Sequence, residues 1–332
     1  MAGLNLAQEP DDTLILRAAW LYYMAGLNQQ DVADRLGVHR TRVVRLLAEA
    51  RDRGLVSMAI HHEAIRETEL EQTFISRYGL DFCLVTPCIG IDNPSAAQEI
   101  LDAQAVMARR AVGTAAATFL KGHLAVGEPI TIGVSWGRTI EQMALQLAGV
   151  RNRNARFVSL LGSLTRNSAS NPFEVVQALA ARTGGEGYFL PVPFIVDTPS
   201  DREVLIAQRT VTEVMDLART AAIYFISVGE LTERSILRQQ NMLTKSELRS
   251  MRARGVVADT IGRLFDASGN LVEHPMCERM LAFSVDDLRG RDVILLGAGL
   301  EKARAIIALL SSKLIRGLII DGDTASCMLK VT

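Results

Sequence analysis

The 332-residue sequence is poor in the residues that build metal centres, disulfide frameworks and membrane spans. Its four cysteines are scattered and form no CxxC pair, so zinc binding and redox chemistry are not expected. Five histidines leave few candidates for acid–base catalysis. No apolar run reaches the roughly 18 residues of a membrane-spanning helix, and the acidic N-terminus is unlike a signal peptide. We therefore expect a cytoplasmic protein without a metal or cofactor.

The sequence also lacks a large net charge of either sign, because its 36 basic residues nearly balance its 37 acidic ones. Such a chain has no global attraction to nucleic acid, and any contact with DNA must come from a local basic surface. Apolar residues make up 48% of the chain, enough for a large buried core. At roughly 100 to 200 residues per domain, the length predicts two domains.

Three short helices are predicted near the N-terminus. Apolar residues recur at helical spacing from Thr13 to Met24, just before Gly26. A second helix is predicted from Gln29 to Leu36 and a third from Thr41 to Arg53, and Gly37 between them permits a tight turn. Two helices joined in this way predict a helix-turn-helix.

The third helix supplies the local basic surface. Five arginines and two acidic residues lie between His39 and Arg53, which gives the segment a net charge of +3. In a helix-turn-helix the first turns of this helix meet base edges, and the start of the preceding helix reaches phosphates. The residues predicted to bind DNA are Gln29, Gln30, His39, Arg40, Thr41, Arg42 and Arg45. The alternative is a three-helix bundle with a solvated basic face.

The next segment is predicted to connect two domains. Residues 55–61 alternate well enough for the short strand of a winged helix-turn-helix. Residues 63–78 are charged and helical, and their narrow apolar stripe suits a connecting helix or an oligomer contact. We therefore place a DNA-binding domain at 1–60, the connecting helix at 61–79 and a larger domain at 80–332.

Beyond residue 80, short apolar runs alternate with helical segments. This pattern is typical of a mostly parallel sheet covered by helices on both faces. The predicted strands are 82–85, 130–134, 157–161, 188–192, 222–228, 293–296 and 318–320. The predicted fold class is thus α/β, with an all-α helix-turn-helix domain ahead of a doubly wound domain.

Six segments of the chain resemble the SorC family of sugar-binding transcription regulators. They are LNQQDVADRLGVHRTRVVRLLAEARDRGLV at 27–56, IGVSWGRTI at 132–140, LPVPFIVD at 190–197, GVVADTIGRLFDASG at 255–269, GAGLEKARAI at 297–306 and LIIDGDTA at 318–325. The resemblance implies a Rossmann-like effector domain of the glucosamine-phosphate deaminase, ribose-phosphate isomerase and CoA-transferase type, without catalysis. It also implies a homodimer or homotetramer on palindromic or pseudo-palindromic operator DNA. His39 and Val44 depart from the serines usual in the family, so no operator sequence is implied.

The strand at 130–134 runs into a loop, Ser135-Trp136-Gly137-Arg138-Thr139, ahead of a helix predicted to begin near Ile140. A loop between a parallel strand and a helix offers unpaired backbone amides that suit a phosphate. The resemblance implies that this loop holds the phosphate of a sugar phosphate or polyol phosphate. The alternative is an ordinary turn in which Trp136 packs into the core and Arg138 is solvated.

Further candidates for contact with the effector follow other predicted strands or lie in the resembling segments. They are Gly162, Ser163, Asn171, Asp259 and Lys302. The carboxylate of Asp259 can accept hydrogen bonds from sugar hydroxyls, and the amine of Lys302 can pair with a phosphate. The alternatives are Asp259 as a helix N-cap and Lys302 as a surface residue.

The predicted function is an effector-controlled transcription regulator, repressor or activator, of a carbohydrate or polyol catabolic operon. One alternative is an isomerase- or deaminase-like enzyme with an appended DNA-binding domain, in which Asp259 and Lys302 would have to serve because no histidine lies in the motif loops. Another is an architectural DNA-bridging protein. Dinucleotide binding is not expected, because GAGLEK lacks the third glycine of GxGxxG, although Asp321 follows about 20 residues later.

Overall fold

The computed structural model describes residues 11–56, 65–90, 95–164 and 171–331. The chain divides into two compact units, residues 1–60 and 61–332. Most of the strand predicted at 55–61 lies outside the described residues. Among the described helices, none is long and apolar enough to cross a membrane.

The first unit is a bundle of three helices. Helix α1 (Asp11–Ala19) continues into a π-helical turn at Trp20–Met24, and α2 (Gln29–Leu36) and α3 (Arg40–Asp52) follow. The predicted helix at 13–24 is therefore present, with a widened last turn. The buried apolar residues of the bundle are Leu14, Ile15, Ala18, Ala19, Val32, Ala33, Leu36, Val43, Leu46, Leu47 and Ala50.

The turn between α2 and α3 follows from local chemistry. Asn28 caps α2, because its side-chain oxygen accepts hydrogen bonds from the backbone N–H groups of Gln30 and Asp31 at 2.9 and 3.0 Å. Gly37 ends α2 in the left-handed conformation, with φ of 66°, which side chains with a Cβ rarely adopt. Together the cap and the glycine form the predicted helix-turn-helix.

The second unit contains a seven-stranded sheet. Its strands are β1 (Phe82–Thr86), β2 (Ile130–Val134), β3 (Ala155–Ser163), β4 (Glu186–Pro193), β5 (Ile223–Ser227), β9 (Val293–Gly297) and β10 (Gly317–Asp321). They lie in the order β1-β10-β9-β5-β2-β3-β4, and every neighbouring pair is parallel. Each coincides with a strand predicted from the sequence.

Helices cover both faces of this sheet. The helices of the second unit are α4 (Ile65–Tyr78), α5 (Gln98–Leu124), α6 (Arg138–Gln146), α7 (Pro172–Thr183), α8 (Pro199–Ile206), α9 (Arg209–Arg219), α10 (Ile236–Gln239), α11 (Lys245–Ala253), α12 (Ala303–Ser311) and α13 (Gly322–Val331). Successive residues of one strand enter opposite cores: Tyr224 belongs to one buried cluster and Phe225 to the other. Both faces of the large sheet are therefore buried, as the continuous apolar runs of the sequence predict.

A small antiparallel sheet, absent from the sequence predictions, follows β5. It consists of β6 (Gly229–Glu230), β7 (Val256–Thr260) and β8 (Arg263–Asp266), with β7 in the middle. Asp259 lies on β7, so the alternative that made it a helix N-cap is wrong. Because β6 starts just after β5 ends, this sheet stands at the carboxyl end of the large sheet.

Candidate DNA-reading helix and effector pocket

Helix α3 presents the residues predicted to read DNA. Val43 and Leu46 are buried in the bundle, which turns the opposite side of the helix to solvent. Five of the predicted residues are exposed on α3 or at its N-cap: His39, Arg40, Thr41, Arg42 and Arg45. The first turns of α3 thus form an exposed basic surface.

The start of α2 lies beside this surface. Nε of Arg40 donates to Oε1 of Gln29 at 3.4 Å, which ties the two helices at their N-terminal ends. Gln30 is exposed, and its side-chain amide donates to Asp34 at 2.9 Å. The predicted phosphate-contacting and base-contacting residues therefore lie on neighbouring parts of the unit.

A solvent-open cavity of about 470 Å³ lies where the carboxyl ends of the large sheet meet the small sheet. Ligands of parallel α/β folds bind at this edge because loops and helix N-termini converge there. The predicted residues that line it are Ser135, Trp136, Gly137, Arg138, Asp259 and Lys302. The structure thus joins residues from three distant segments of the chain.

One wall of the cavity is the N-terminus of α6. The helix begins at Arg138, two residues earlier than predicted, and no side chain of the described ranges caps it. The first intrahelical bond to its N-cap runs from the N–H of Glu141 to the oxygen of Gly137, so the amides before Glu141 have no acceptor within the helix. The hydroxyl of Thr139 lies in the first turn of α6 behind the lining of the cavity, and it is buried without a hydrogen-bond partner among the described residues. These groups make an uncapped, donor-rich helix end.

Ser227, which the sequence did not reveal, fixes the loop before α6. Its backbone N–H donates to Oγ of Ser135 at 3.1 Å, and its hydroxyl donates to the carbonyl of Trp136 at 2.7 Å. Gly137 has φ of 123°, and a Cβ there would lie 2.8 Å from Oγ of Ser227. The Trp136 ring packs 5.8 Å from that of Phe194, so it both packs on the core and lines the cavity.

The carboxyl of Asp259 stands on the small sheet across from this loop. Within the described residues it makes no hydrogen bond to protein, so its oxygens remain available to a ligand. Burial, and then the charge of Glu230, raise the pKa of Asp259 to about 7, while Lys302 acts in the opposite direction. This acid can therefore accept or donate hydrogen bonds near neutral pH.

Lys302 follows β9 and reaches the same cavity. It is 5% exposed, so the alternative that made it a surface residue is wrong. Its amine donates to the carbonyl of Val228 at 2.8 Å and lies 4.0 Å from Oε2 of Glu230. Burial lowers the pKa of Lys302, and Glu230 partly offsets that effect. Glu230 itself is buried and was not singled out from the sequence.

The structure gives the remaining effector candidates other surroundings. Thr139, Gly162, Ser163 and Asn171 are not among the lining residues of the cavity. The side chain of Asn171 caps α7 by accepting from the N–H of Phe173 at 3.3 Å, and it donates to the carbonyl of Leu164. The backbone of Gly162 donates to the carbonyl of Leu281 at 3.0 Å. The contacts of Asn171 and Gly162 therefore stabilise the fold and do not face the cavity.

A second, larger cavity of about 950 Å³ adjoins the first. The two share Arg138 and Glu230 as lining residues, so they meet at the start of α6. Arg109 of α5 lines the second cavity, where its Nη1 lies 3.8 Å from Oε1 of Glu301. No pattern in the sequence marked Arg109, because buried arginines are identified by tertiary packing.

Comparison with known proteins identifies the family. Residues 62–330 match the family model described as "Putative sugar-binding domain". The chain is 36% identical over 321 residues to the "Erythritol catabolism regulatory protein EryD" of Brucella abortus, covering 97% of this chain and 98% of that protein. It is 26% identical to the "Sorbitol operon regulator" of Klebsiella pneumoniae, covering 96% and 98%. The crystal structure of full-length SorC from the same organism has a TM-score of 0.72 at 25% identity and covers 97% of this chain and 100% of that one.

A helix-turn-helix, joined to a parallel α/β unit with a polar cavity at its strand ends, defines a ligand-responsive transcription regulator. The chain belongs to the SorC family of sugar-binding transcriptional regulators. The predicted family and fold class are confirmed, and so is the predicted class of function, regulation of carbohydrate or polyol operons. The relatives are named as regulators of transcription, of an operon or of a catabolic pathway.

Proposed function

We propose that the chain binds operator DNA through α3 and is controlled by a small polyol phosphate or sugar phosphate in the cavity at the start of α6. The phosphate is bound by the amides of α6 and by Arg138, and the hydroxyls are bound by Asp259 and Lys302. The protein acts in the cytoplasm as a homo-oligomer on a palindromic or pseudo-palindromic operator. Effector binding changes the spacing of its DNA-binding units.

The observation that supports this proposal is that one cavity is lined both by groups that attract an anion and by a carboxyl that can bind a hydroxyl. An uncapped helix N-terminus, with Arg138 as its first residue, attracts an anion. The opposite wall carries the Asp259 carboxyl, which has no hydrogen bond to the described residues and suits a hydroxyl. A phosphorylated polyol can bind both walls at once, because its phosphate suits the start of α6 and its hydroxyls suit the carboxyl of Asp259.

The relatives narrow the effector class. The Brucella protein is named for erythritol catabolism and the Klebsiella protein for the sorbitol operon, and both align along nearly their whole length with this chain. The higher identity to the first favours a short polyol such as erythritol, or its phosphate, as the effector.

The cavity supports binding rather than catalysis. Turnover of a sugar phosphate requires a base and a proton shuttle beside the reacting carbons. No histidine is among the described residues that line the cavity. The amine of Lys302 is already bonded to the carbonyl of Val228 and faces Glu230. We therefore propose that the chain is not an enzyme.

The proposal is tested by thermal unfolding of the full chain with polyols and sugars of four to six carbons, each with and without a phosphate. We expect at least one phosphorylated compound to raise the unfolding midpoint and to change affinity for operator DNA in a fluorescence anisotropy assay. Lys302→Met should lose both responses. Lys245→Met, which removes an exposed lysine at the start of α11, should retain both. The proposal would be contradicted if no compound of the panel changed the unfolding midpoint or the DNA affinity of the wild-type chain, or if the chain converted a compound to product.

A further inference from the structure

Helices α5 and α6 pack closely and run in the same direction. Helix α5 connects β1 to β2 and α6 connects β2 to β3, and because these strands are parallel, each helix returns in the direction opposite to the strands. A Cβ built on Gly113 of α5 would lie 2.4 Å from Cβ of Gln142 on α6, so only glycine permits this approach. Arg109 precedes Gly113 by about one turn, and Arg138 precedes Gln142 by about one turn. The two arginines therefore lie side by side where α6 begins.

Arg109 is a buried cation with an incomplete set of partners. It is 8% exposed, and its Nη1 has no hydrogen-bond partner in the part of the chain that the structure describes. Glu301 lies 3.8 Å away, beyond hydrogen-bond distance. Burial and then the charge of Arg138 lower the pKa of Arg109. A buried guanidinium in this state costs free energy that a bound anion would recover.

Arg138 is not neutralised by the acids around it. It forms no ion pair within the described ranges, and its Nε is buried without a hydrogen bond. The carboxylate of Asp102 accepts from Arg234 at 2.7 Å, and Glu230 lies nearest the amine of Lys302. The junction of the two cavities therefore holds an arginine that has no ion-pair partner among the described residues.

We propose that Arg109 and Arg138 together clamp one phosphate dianion at the boundary of the two cavities. Guanidinium groups suit this task because their planar N–H groups match the spacing of phosphate oxygens. The inference rests on the proposed function and adds a binding residue from α5. It makes the phosphate of the effector, rather than its hydroxyl chain, the main source of affinity, so neutral polyols bind weakly.

Inorganic phosphate is the probe that tests the clamp in the full-length protein. Phosphate should raise the unfolding midpoint of the wild type above that found in sodium chloride of equal ionic strength, which accounts for screening. Arg109→Gln should need at least tenfold more phosphate for the same rise, measured against its own ligand-free midpoint. Arg110→Gln is the matched control, because Arg110 is the next residue of α5 and is exposed. It should respond like the wild type.

Two further variants keep the test decisive if Arg109→Gln folds poorly. Arg109→Lys keeps a positive charge and should retain part of the phosphate response. Glu301→Gln removes the carboxylate nearest Arg109 and should increase phosphate affinity several-fold. A full response in Arg109→Gln, or weaker binding in Glu301→Gln, overturns the clamp.

The clamp and the proposed function fail in different ways. If a neutral polyol stabilises the wild type and shifts its DNA affinity while phosphate does neither, the clamp is rejected and the regulator function stands. If phosphate binding depends on Arg109 but no polyol, sugar or phosphate ester alters DNA binding, the clamp stands. In that case the proposed effector control is what fails.

Discussion

Gly229 and Asp259 are partners across strands β6 and β7, and the missing side chain of the glycine leaves room for the carboxyl of the acid. A Cβ built on Gly229 would lie 2.1 Å from Oδ1 of Asp259. Real atoms do not approach so closely, so any other residue at 229 must displace the carboxyl. The pair therefore fixes the position of the Asp259 carboxyl in the lining of the cavity.

Gly229→Ala should weaken effector binding strongly, because the displaced carboxyl no longer faces the ligand. We expect at least a tenfold loss in effector affinity by calorimetry, with operator binding in the absence of effector unchanged. Gly122→Ala is the control, since a Cβ at this glycine of α5 meets nothing within 4 Å. It should leave effector affinity as it is and stabilise the helix by about 0.5–1 kcal/mol. An unaltered effector affinity in Gly229→Ala would remove Asp259 from the binding site.

The pH dependence of stability should reveal Asp259. Its pKa rises from the ordinary value of 3.8 to about 7 on folding, so the folded chain holds this proton more tightly than the unfolded chain. The contribution of Asp259 to the free energy of unfolding is therefore fully present below pH 3.8 and is lost as the pH rises towards 7. Over this range the loss reaches up to about 1.4 kcal/mol per pH unit. Asp259→Asn should remove this slope in denaturant titrations of the effector-free protein.

Asp266→Asn is the control for the pH experiment, because folding shifts the pKa of Asp266 in the direction opposite to that of Asp259. Hydrogen bonds from Asn270 lower the pKa of Asp266, so its stabilisation is lost as the pH falls. Removing Asp266 should therefore leave the slope between pH 4 and 7 intact. Identical slopes in the wild type and Asp259→Asn would show that Asp259 titrates normally.

The basic surface of α3 predicts the response of DNA binding to mutation. Arg40→Ala and Arg45→Ala should each weaken operator binding by about 1–3 kcal/mol if the side chain pairs with a base. Arg51→Ala removes the same charge from the last turn of α3 and should have a smaller effect. Fluorescence anisotropy at fixed salt concentration measures all three. Equal losses in the three variants would indicate non-specific attraction, and no loss in the first two would reject α3 as the reading helix.

Substitution of Gly162 tests whether this residue stabilises the fold or binds the effector. A Cβ at this position would lie 2.6 Å from the carbonyl oxygen of Pro193 on the neighbouring strand, which is backbone and cannot rotate away. Gly162→Ala should therefore cost about 1–3 kcal/mol of unfolding free energy in urea. The folded fraction should keep wild-type effector affinity. A selective loss of effector affinity at full stability would return Gly162 to the binding site.

The sequence alone predicts those parts of the molecule that local patterns encode. The helical period and the Gly37 turn predict the helix-turn-helix, and the cluster of arginines on α3 identifies its exposed basic side. Continuous apolar runs predict the strands of the large sheet, because both faces of a parallel sheet are buried. The loop from Ser135 to Arg138 is also predicted, since the carboxyl end of a strand followed by a helix forms a typical anion site.

Tertiary structure alone decides what surrounds that loop. The two-residue strand β6 has no recognisable period, yet its pairing with β7 brings Asp259 opposite α6 and places Glu230 beside Lys302. Arg109 lies on an otherwise ordinary helical turn, and only the close packing of α5 on α6 turns it towards Arg138. Local propensity is set by neighbours in the chain, whereas burial, ion pairing and pKa depend on neighbours in space. For that reason the sequence alone predicted a helix-turn-helix regulator with a loop at the end of β2, and the fold decided which charged side chains line the cavity beside that loop.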